Sequence, residues 1–379
     1  MSTTGRDKAM IDIPNKSRAA VLVEYNKPYE IREYPIPEVE DKGILVRVEM
    51  AGVCGSDVHQ WKGNVGIRPQ LPVIPGHEAV GRIVKLGEGR TRDSAGELLS
   101  IGDRIMWSHV SCKECYACTI VNQPRLCENR YSYGFSYSGS YPYLSGGFAD
   151  YEYVVPRAEV VKIPEDLSNE EVVGVCCAFR TALSAFETLG GIGIQSSVVI
   201  QGSGPVGLYS TLLSVEGGAG QTIVIGAPAK RLELAKKWGA DHVINIEEMP
   251  DPSERRERIL ELTGGRGPEI VVEASGVPAA FREGMEMVRR GGSYLIIGQS
   301  SPEAEVSIIP ALIMTKHLRI IGNASGLIGH YYRAIQFIRN KRHKYPLADI
   351  VTNKYSLDQI NDAIRSMMAG EEIKPVIVP

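Results

Sequence analysis

The sequence predicts an α/β protein of two units, a β-rich unit first and a doubly wound parallel sheet after it. Three observations carry this. Apolar strand-like runs alternate with helical patterns from about residue 196 onward, and a glycine-rich turn, GSGPVG, joins the first of those strands to the first of those helices. Before about residue 160 the pattern is different: short apolar runs bounded by Gly, Pro or charge. The chain has 379 residues, more than one hydrophobic core normally organises, because domains run about 100 to 200 residues.

In the first unit the expected strands are 19–23, 44–48, 79–86 and 151–155. The second unit opens with a buried strand at 197–201 and a helix at 208–215. A strand at 222–225, a helix at 230–238 stopped by Gly239, and a strand at 243–246 follow. Next come a helix opening near Ser253, a strand at 270–273, a helix at 278–290 and a strand at 294–297. This alternation is the mark of a parallel sheet with helices on both faces. After about 318 the pattern is mixed, with a helix at 330–339, and the tail is assigned to the first unit. The expected division is 1–172 with 319–379 for the first unit and 173–318 for the second.

Charge narrows the function. The 42 basic and 45 acidic residues leave a net charge of −3, whereas nucleic acid and anionic membranes are usually met by a basic excess. No apolar run approaches the roughly 18 to 20 residues of a membrane span. The opening MSTTGRDKAMIDIPNKSR lacks a signal peptide's apolar core and reads as a solvated tail. The expected location is the cytoplasm, where disulfides are rare.

The seven cysteines therefore call for another explanation. Cys112-x2-Cys115-x2-Cys118-x8-Cys127 places four thiols within sixteen residues. Four thiolates can enclose one Zn2+ tetrahedrally, and a site closed by four protein ligands is structural. Disulfides and a zinc-ribbon nucleic-acid module are the alternatives, the latter disfavoured because only Lys113, Arg125 and Arg130 lie nearby as bases. Cys54-Gly55-Ser56-Asp57-Val58-His59 and Gly76-His77-Glu78 carry thiol, imidazole and carboxylates in short polar runs. On their own these are as consistent with packing or surface residues as with a metal site.

The glycine turn is the most specific local signal. Gly202 permits the tight turn, Gly204 lets the backbone approach a pyrophosphate, and Gly207 lets helix and strand pack closely. Pro205 and Val206 open a helix whose free N–H groups face the phosphates. An acid that would hold the ribose hydroxyls of NAD is expected about 20 residues on. Gly226 stands there, with Lys230 and Arg231 following. Loss of the carboxylate removes its repulsion of a 2′-phosphate, which either cation is suited to pair. The reading leans toward NADP; the alternative is a solvated helix start and loosely bound NAD.

With AGVCGSDVH, PGHEAVGRIVKLGEG, the four-cysteine lobe, CAFRTA and GSGPVG in that order, the chain resembles the zinc-dependent alcohol dehydrogenases of the medium-chain dehydrogenase/reductase superfamily. The resemblance covers nearly everything after the N-terminal tail. It implies a GroES-like catalytic domain completed by the C-terminal tail, a Rossmann cofactor domain between, and a homodimer or homotetramer. It implies two zinc ions per chain, the catalytic one held by Cys54, His77 and Cys177. Cys176 is the neighbouring candidate, and Cys177 is preferred because it precedes Thr181 by four residues, as in the family. Glu78 resembles the acid beside the metal, Asp57 the carboxylate that orients the ligand imidazole, and Ser56 and His59 the proton relay. Thr181 and Lys374 resemble cofactor contacts, the latter where the family often has Arg. The lobe departs by one extra residue before Cys127, Gly226 replaces an acid, and Gly55 offers no phosphate contact.

The implied activity is interconversion of a small-molecule alcohol and its ketone or aldehyde by hydride transfer. Ser108, where the family often has a bulkier pocket residue, favours a secondary or polyhydroxylated alcohol. Seven tyrosines between 131 and 153 suit either a pocket wall or ordinary packing. His109 has no support beyond a structural role. Two other functions stay open: a zinc-free quinone or enoyl reductase of the same superfamily, and a zinc-containing nucleotide-binding scaffold without turnover.

Overall fold

The computed structural model describes residues 12–66, 68–299 and 301–379. Of the expected solvated tail, residues 1–11 lie outside these. Its end is not a tail: strand Lys16–Val21 pairs antiparallel with Glu30–Pro35, and Arg18 is anchored to Asp150 at 3.2 Å.

The β-rich unit is a seven-stranded sheet. Its main path runs Val351–Tyr355, Lys374–Ile377, Ile44–Gly52, Ala79–Leu86, Arg104–Trp107, Val160–Lys162, and Tyr151–Val154 also pairs with Ile44–Gly52. The inward residues Val46, Val48, Ile83, Ile105, Trp107 and Phe148 share one buried cluster, as the two-residue period of a strand requires. Two strands of this sheet come from the far end of the chain.

The second sheet is parallel throughout, in the order His242–Asn245, Gln221–Gly226, Ser197–Gln201, Ile270–Glu273, Ser293–Ile296, Arg319–Gly322. Alternate residues of its strands enter different cores: Val198, Ile200, Val224 and Val272 on one face, Val199, Ile223, Ile225 and Val271 on the other. That is why these strands read as continuous apolar runs. This order is the doubly wound dinucleotide-binding arrangement, whose switch point falls between Ser197–Gln201 and Ile270–Glu273. The expected return to the first unit at 319 falls too early. Arg319–Gly322 pairs with Ser293–Ile296, because a short apolar run beside an open parallel edge gains a full ladder of hydrogen bonds there. Among the described residues no single helix is long and apolar enough to cross a membrane.

The helix that leaves the glycine turn, Pro205–Glu216, is fixed at its far end by charge. Glu216 meets Lys341 at 2.6 Å and Lys344 at 2.7 Å and accepts from the Tyr345 hydroxyl. Burial pushes its carboxyl up, but the hydrogen bonds from Lys341, Lys344 and Tyr345 outweigh burial and hold it down to about 2. A folded-state value below the unfolded value of about 4.3 stabilises the fold above pH about 5, and this is lost as pH falls toward about 2. Because both lysines are exposed, the contribution is discounted to about 1 kcal/mol. Glu216→Gln should therefore lose about 1 kcal/mol in urea unfolding at pH 7, with the gap to the native chain closing as pH drops below about 4. An unchanged midpoint at pH 7 would contradict this.

Candidate active site

Two helix N-termini and one loop converge on a buried cluster. Cys54 caps helix Gly55–Lys62 and Cys177 caps helix Ala178–Leu189; His77 and Glu78 lie in the loop before Ala79–Leu86. One ligand atom each from Cys54, His77, Glu78 and Cys177 lies within 4.8 Å of every other. The loop needs glycine at 76, where φ is +86° and a Cβ would meet the Phe148 amide nitrogen at 2.7 Å. Gly52 is equally constrained, since a Cβ there would meet a Glu78 carboxylate oxygen at 2.3 Å.

Asp57 organises the cluster from the first turn of its helix. Its Oδ2 accepts from the Cys54 amide at 2.8 Å, and its Oδ1 lies 3.3 Å from His77 Nδ1. Neither atom has another polar partner among the described residues. Holding Nδ1 leaves Nε2 for the cluster, the arrangement that fixes a ligand imidazole. Burial opposes charging of His77, yet Asp57 and Cys54 outweigh it and push its pKa up to about 10. A hydrogen bond between Cys54 and Cys177 pushes the first thiol well down and the second well up. Two thiols, an imidazole and a carboxylate in a dry site are the donor chemistry of Zn2+. Cys176 stays outside: its thiol faces the Ala79 carbonyl at 3.3 Å, and burial pushes its pKa up.

Ser56 Oγ lies 3.3 Å from His77 Nε2. His59 follows one turn later, half-buried, with Nδ1 3.0 Å from Asn64 Oδ1. Lys374 is not directed at a cofactor. It is fully buried, and its ammonium meets both oxygens of Glu78, at 2.7 and 2.9 Å, and the Val53 carbonyl at 3.4 Å. Burial pushes the Glu78 carboxyl up to about 7, against the opposing pull of Lys374. A buried carboxylate needs such a partner, and that need claims all three ammonium protons.

The four remaining sulfurs form a separate group. Sγ–Sγ distances are 3.5 Å for Cys112–Cys127, 3.6 Å for Cys115–Cys118 and 3.9 Å for Cys115–Cys127. Ligands about 2.3 Å from a tetrahedral zinc stand about 3.8 Å apart, whereas a disulfide is about 2.0 Å. The amides of Cys112 and Cys115 point at the sulfurs of Cys127 and Cys112, so the backbone is already set for thiolates.

At the switch point the glycine turn has the expected form. Gly202 has φ +109°, and a Cβ on Gly207 would lie 1.9 Å from the Gly202 carbonyl oxygen. A Cβ on Gly204, the N-cap of Pro205–Glu216, would meet nothing within 4 Å. Open space against free helix N–H groups suits a pyrophosphate. Thr181 is buried one turn into helix Ala178–Leu189. Gly226 is buried beneath Ser203, whose Oγ would lie 2.4 Å from a Cβ there. Arg231 departs from expectation: its guanidinium is held by the Gly370 and Glu372 carbonyls, which loop over the helix start. Lys230 is exposed and has no polar partner among the described residues.

Comparison with known proteins decides the family. Residues 40–165 match the family described as alcohol dehydrogenase GroES-like domain, and residues 205–340 match zinc-binding dehydrogenase. The 5-exo-hydroxycamphor dehydrogenase of Pseudomonas putida is 35% identical over 362 residues, covering 95% of this chain and 98% of that one. The chain belongs to the zinc-dependent alcohol dehydrogenases of the medium-chain dehydrogenase/reductase superfamily. An alcohol dehydrogenase structure from Thermotoga maritima superposes with a TM-score of 0.90 at 34% identity, covering 96% and 99% of the two chains. A zinc-binding dehydrogenase from Sinorhizobium meliloti, solved with NADP, does so with a TM-score of 0.83 at 27% identity, covering 97% and 100%.

This dehydrogenase also uses residues that sequence reasoning missed. Arg125 of the cysteine lobe reaches Asn323 at 2.9 Å and Thr188 at 3.1 Å, tying the lobe to the helix that Cys177 caps. Nothing local in the sequence announces contacts 198 and 63 positions apart. The tyrosine run proves to be mainly packing: Tyr133 accepts from the Val155 amide, Tyr141 donates to the Glu38 carbonyl and Tyr143 meets Tyr34. Near the metal cluster stand instead Phe135, 5.6 Å from the His77 ring, and His109, 6.4 Å from it. Ser108 is buried and its hydroxyl lacks a partner among the described residues.

Proposed function

We propose that the chain oxidises a secondary or polyhydroxylated alcohol, or reduces the matching carbonyl, with NADP preferred over NAD. Two zinc ions per chain belong to this reading. Cys54, His77 and Cys177 hold the catalytic ion, with Glu78 close enough to exchange, and Cys112, Cys115, Cys118 and Cys127 hold the structural one. The observation that carries it is the convergence of thiol, imidazole and carboxylate beside the switch point of a dinucleotide-binding sheet. When bound, zinc supplies a Lewis acid that polarises the substrate oxygen, and the nicotinamide accepts or returns the hydride.

The chain's own residues do the rest. Asp57 fixes the His77 tautomer, and Ser56 takes the proton of the substrate hydroxyl into a hydrogen bond. His59, one helical turn away and half-buried, passes that proton to solvent as a general base. Lys374 holds Glu78 in place and opposes the rise that burial imposes on its carboxyl. Ser108, small and unpartnered, leaves room for a branched carbon and a donor for a second hydroxyl. The name of the hydroxycamphor relative agrees with a hydroxyl on a substituted ring.

The cofactor preference rests on Gly226 and Lys230. With Ser203 filling the space above Gly226 no carboxylate repels a 2′-phosphate, and Lys230 is the cation left to meet it; the NADP-bound neighbour supports the same reading. We expect kcat/KM with NADP to exceed that with NAD by at least about tenfold. Lys230→Ala should weaken NADP about tenfold, roughly one ion-paired phosphate contact, and leave NAD unchanged. A native preference for NAD would overturn this.

The domain division that fits is 1–172 with the chain after Gly322 for the catalytic domain, and 173–322 for the cofactor domain. A homo-oligomer is supported by the open edge strand Arg319–Gly322 and by helix Pro310–Lys316, where Ile309 and Met314 are exposed. Such an edge invites a partner strand. Seven unpaired cysteines fit the cytoplasm.

A further inference from the structure

Away from the metal cluster, the loop that follows Ala79–Leu86 and the turn between Tyr151–Val154 and Val160–Lys162 border an open cavity of about 290 Å3. Arg90, Arg92, Arg157 and Lys113 line it, with Asp93 and Glu159. The two acids offset only part of this positive charge. Asp93 is buried and accepts from three backbone amides, those of Ala95, Glu97 and Lys162, at 2.8 to 2.9 Å. Glu159 pairs with Lys113 at 3.5 Å. Arg90, Arg92 and Arg157 have no carboxylate within ion-pair distance among the described residues.

The three guanidinium groups are also presented differently. Arg90 is half-buried and locked by the Pro156 and Ala158 carbonyls at 3.3 and 2.8 Å, while its Nε is buried without a partner. Arg92 leans on the Gly96 carbonyl at 2.6 Å, and Arg157 is exposed with no polar partner among the described residues. One fixed and two adjustable guanidiniums around a concave surface match the planar, bidentate recognition of phosphate oxygens. Three arginines and Lys113 face only two carboxylates here, and a multivalent anion meets the excess positive charge.

We propose that this cavity is a binding site for a phosphate-bearing anion, distinct from the cofactor site. Its volume takes an oligophosphate or a phosphate monoester of nucleotide size. Lys113 follows the cysteine Cys112 directly, and the Glu159 carbonyl accepts from the Ser108 amide at 3.0 Å, so an occupant touches both the lobe and the strand end behind the active site. The site is independent of the proposed reaction and stands or falls alone.

The test is calorimetric titration of the zinc-loaded protein with inorganic tripolyphosphate and, separately, inorganic phosphate. NADP is held saturating so that the cofactor site is filled. One tripolyphosphate per chain should bind, with affinity falling as salt rises, and phosphate alone should bind more weakly. Arg92→Ala/Arg157→Ala should weaken tripolyphosphate at least tenfold with NADP turnover unchanged, and Lys230→Ala should not weaken it. Arg157→Glu, a single exposed change, should act in the same direction. No binding with NADP present, or equal binding by the native and doubly substituted proteins, would overturn the proposal. So would loss of binding in Lys230→Ala.

Discussion

Cys54→Ser should lower alcohol-oxidising turnover by on the order of a thousandfold or more and reduce bound zinc from two ions per chain to one. A thousandfold loss is about 4 kcal/mol of transition-state stabilisation, the scale expected when a Lewis acid is removed from the substrate oxygen. The substitution is unusually clean here. Position 54 is the N-cap of Gly55–Lys62, where serine is among the preferred residues, so the helix keeps its start and thermal unfolding should shift by only a few degrees. Zinc content, turnover and unfolding measured on one preparation separate the outcomes. Activity above about a tenth of native, or retention of both ions, would remove Cys54 from the metal site. One ion in the native chain would support the scaffold without turnover, and none the zinc-free reductase.

Cys112→Ser should do nearly the reverse. Four sulfurs spaced for one ion are the basis of the expectation, because the proposed structural zinc would contribute its binding free energy to folding. Losing one ligand leaves three crowded thiols and no closed site, and the unfolding midpoint should fall by on the order of 10 °C. Arg125 should carry part of that loss onward, since it joins the lobe to Thr188 on the helix capped by Cys177. Turnover should therefore drop, while the second zinc remains at about one per chain. A midpoint unchanged from the native protein would refute the structural role.

The parts legible in the sequence are those whose cause is local. GSGPVG could be placed at a strand-to-helix turn because every constraint on its glycines lies within a few residues or on the next strand. The four lobe cysteines were legible for the same reason, being sixteen residues in all. Cys54, His77 and Cys177 are far apart in the chain, so single residues said little; only their motifs, taken together and in order, pointed to a metal. What escaped was long-range pairing. Lys374 was expected beside a pyrophosphate, but it lies 296 positions from Glu78 and is drawn there by the need of a buried carboxylate. Arg231 was expected at a phosphate, and the carbonyls of the 370–372 loop take its guanidinium instead. The last strand of the parallel sheet was misassigned because four residues at an edge, mostly exposed, show no periodicity.

The strand Lys374–Ile377 sits between Val351–Tyr355 and Ile44–Gly52, and through Lys374 it supplies the cation that Glu78 requires. During synthesis Cys54, His77 and Cys177 are all made at least 197 residues before Lys374. At about 5 to 20 residues per second, the nascent chain holds every proposed catalytic ligand for on the order of 10 to 40 seconds with Glu78 uncompensated and with Ala51 and Gly52 lacking their partners on the last strand. The buried carboxylate of the cluster gains its cation only when the last strand of the chain docks.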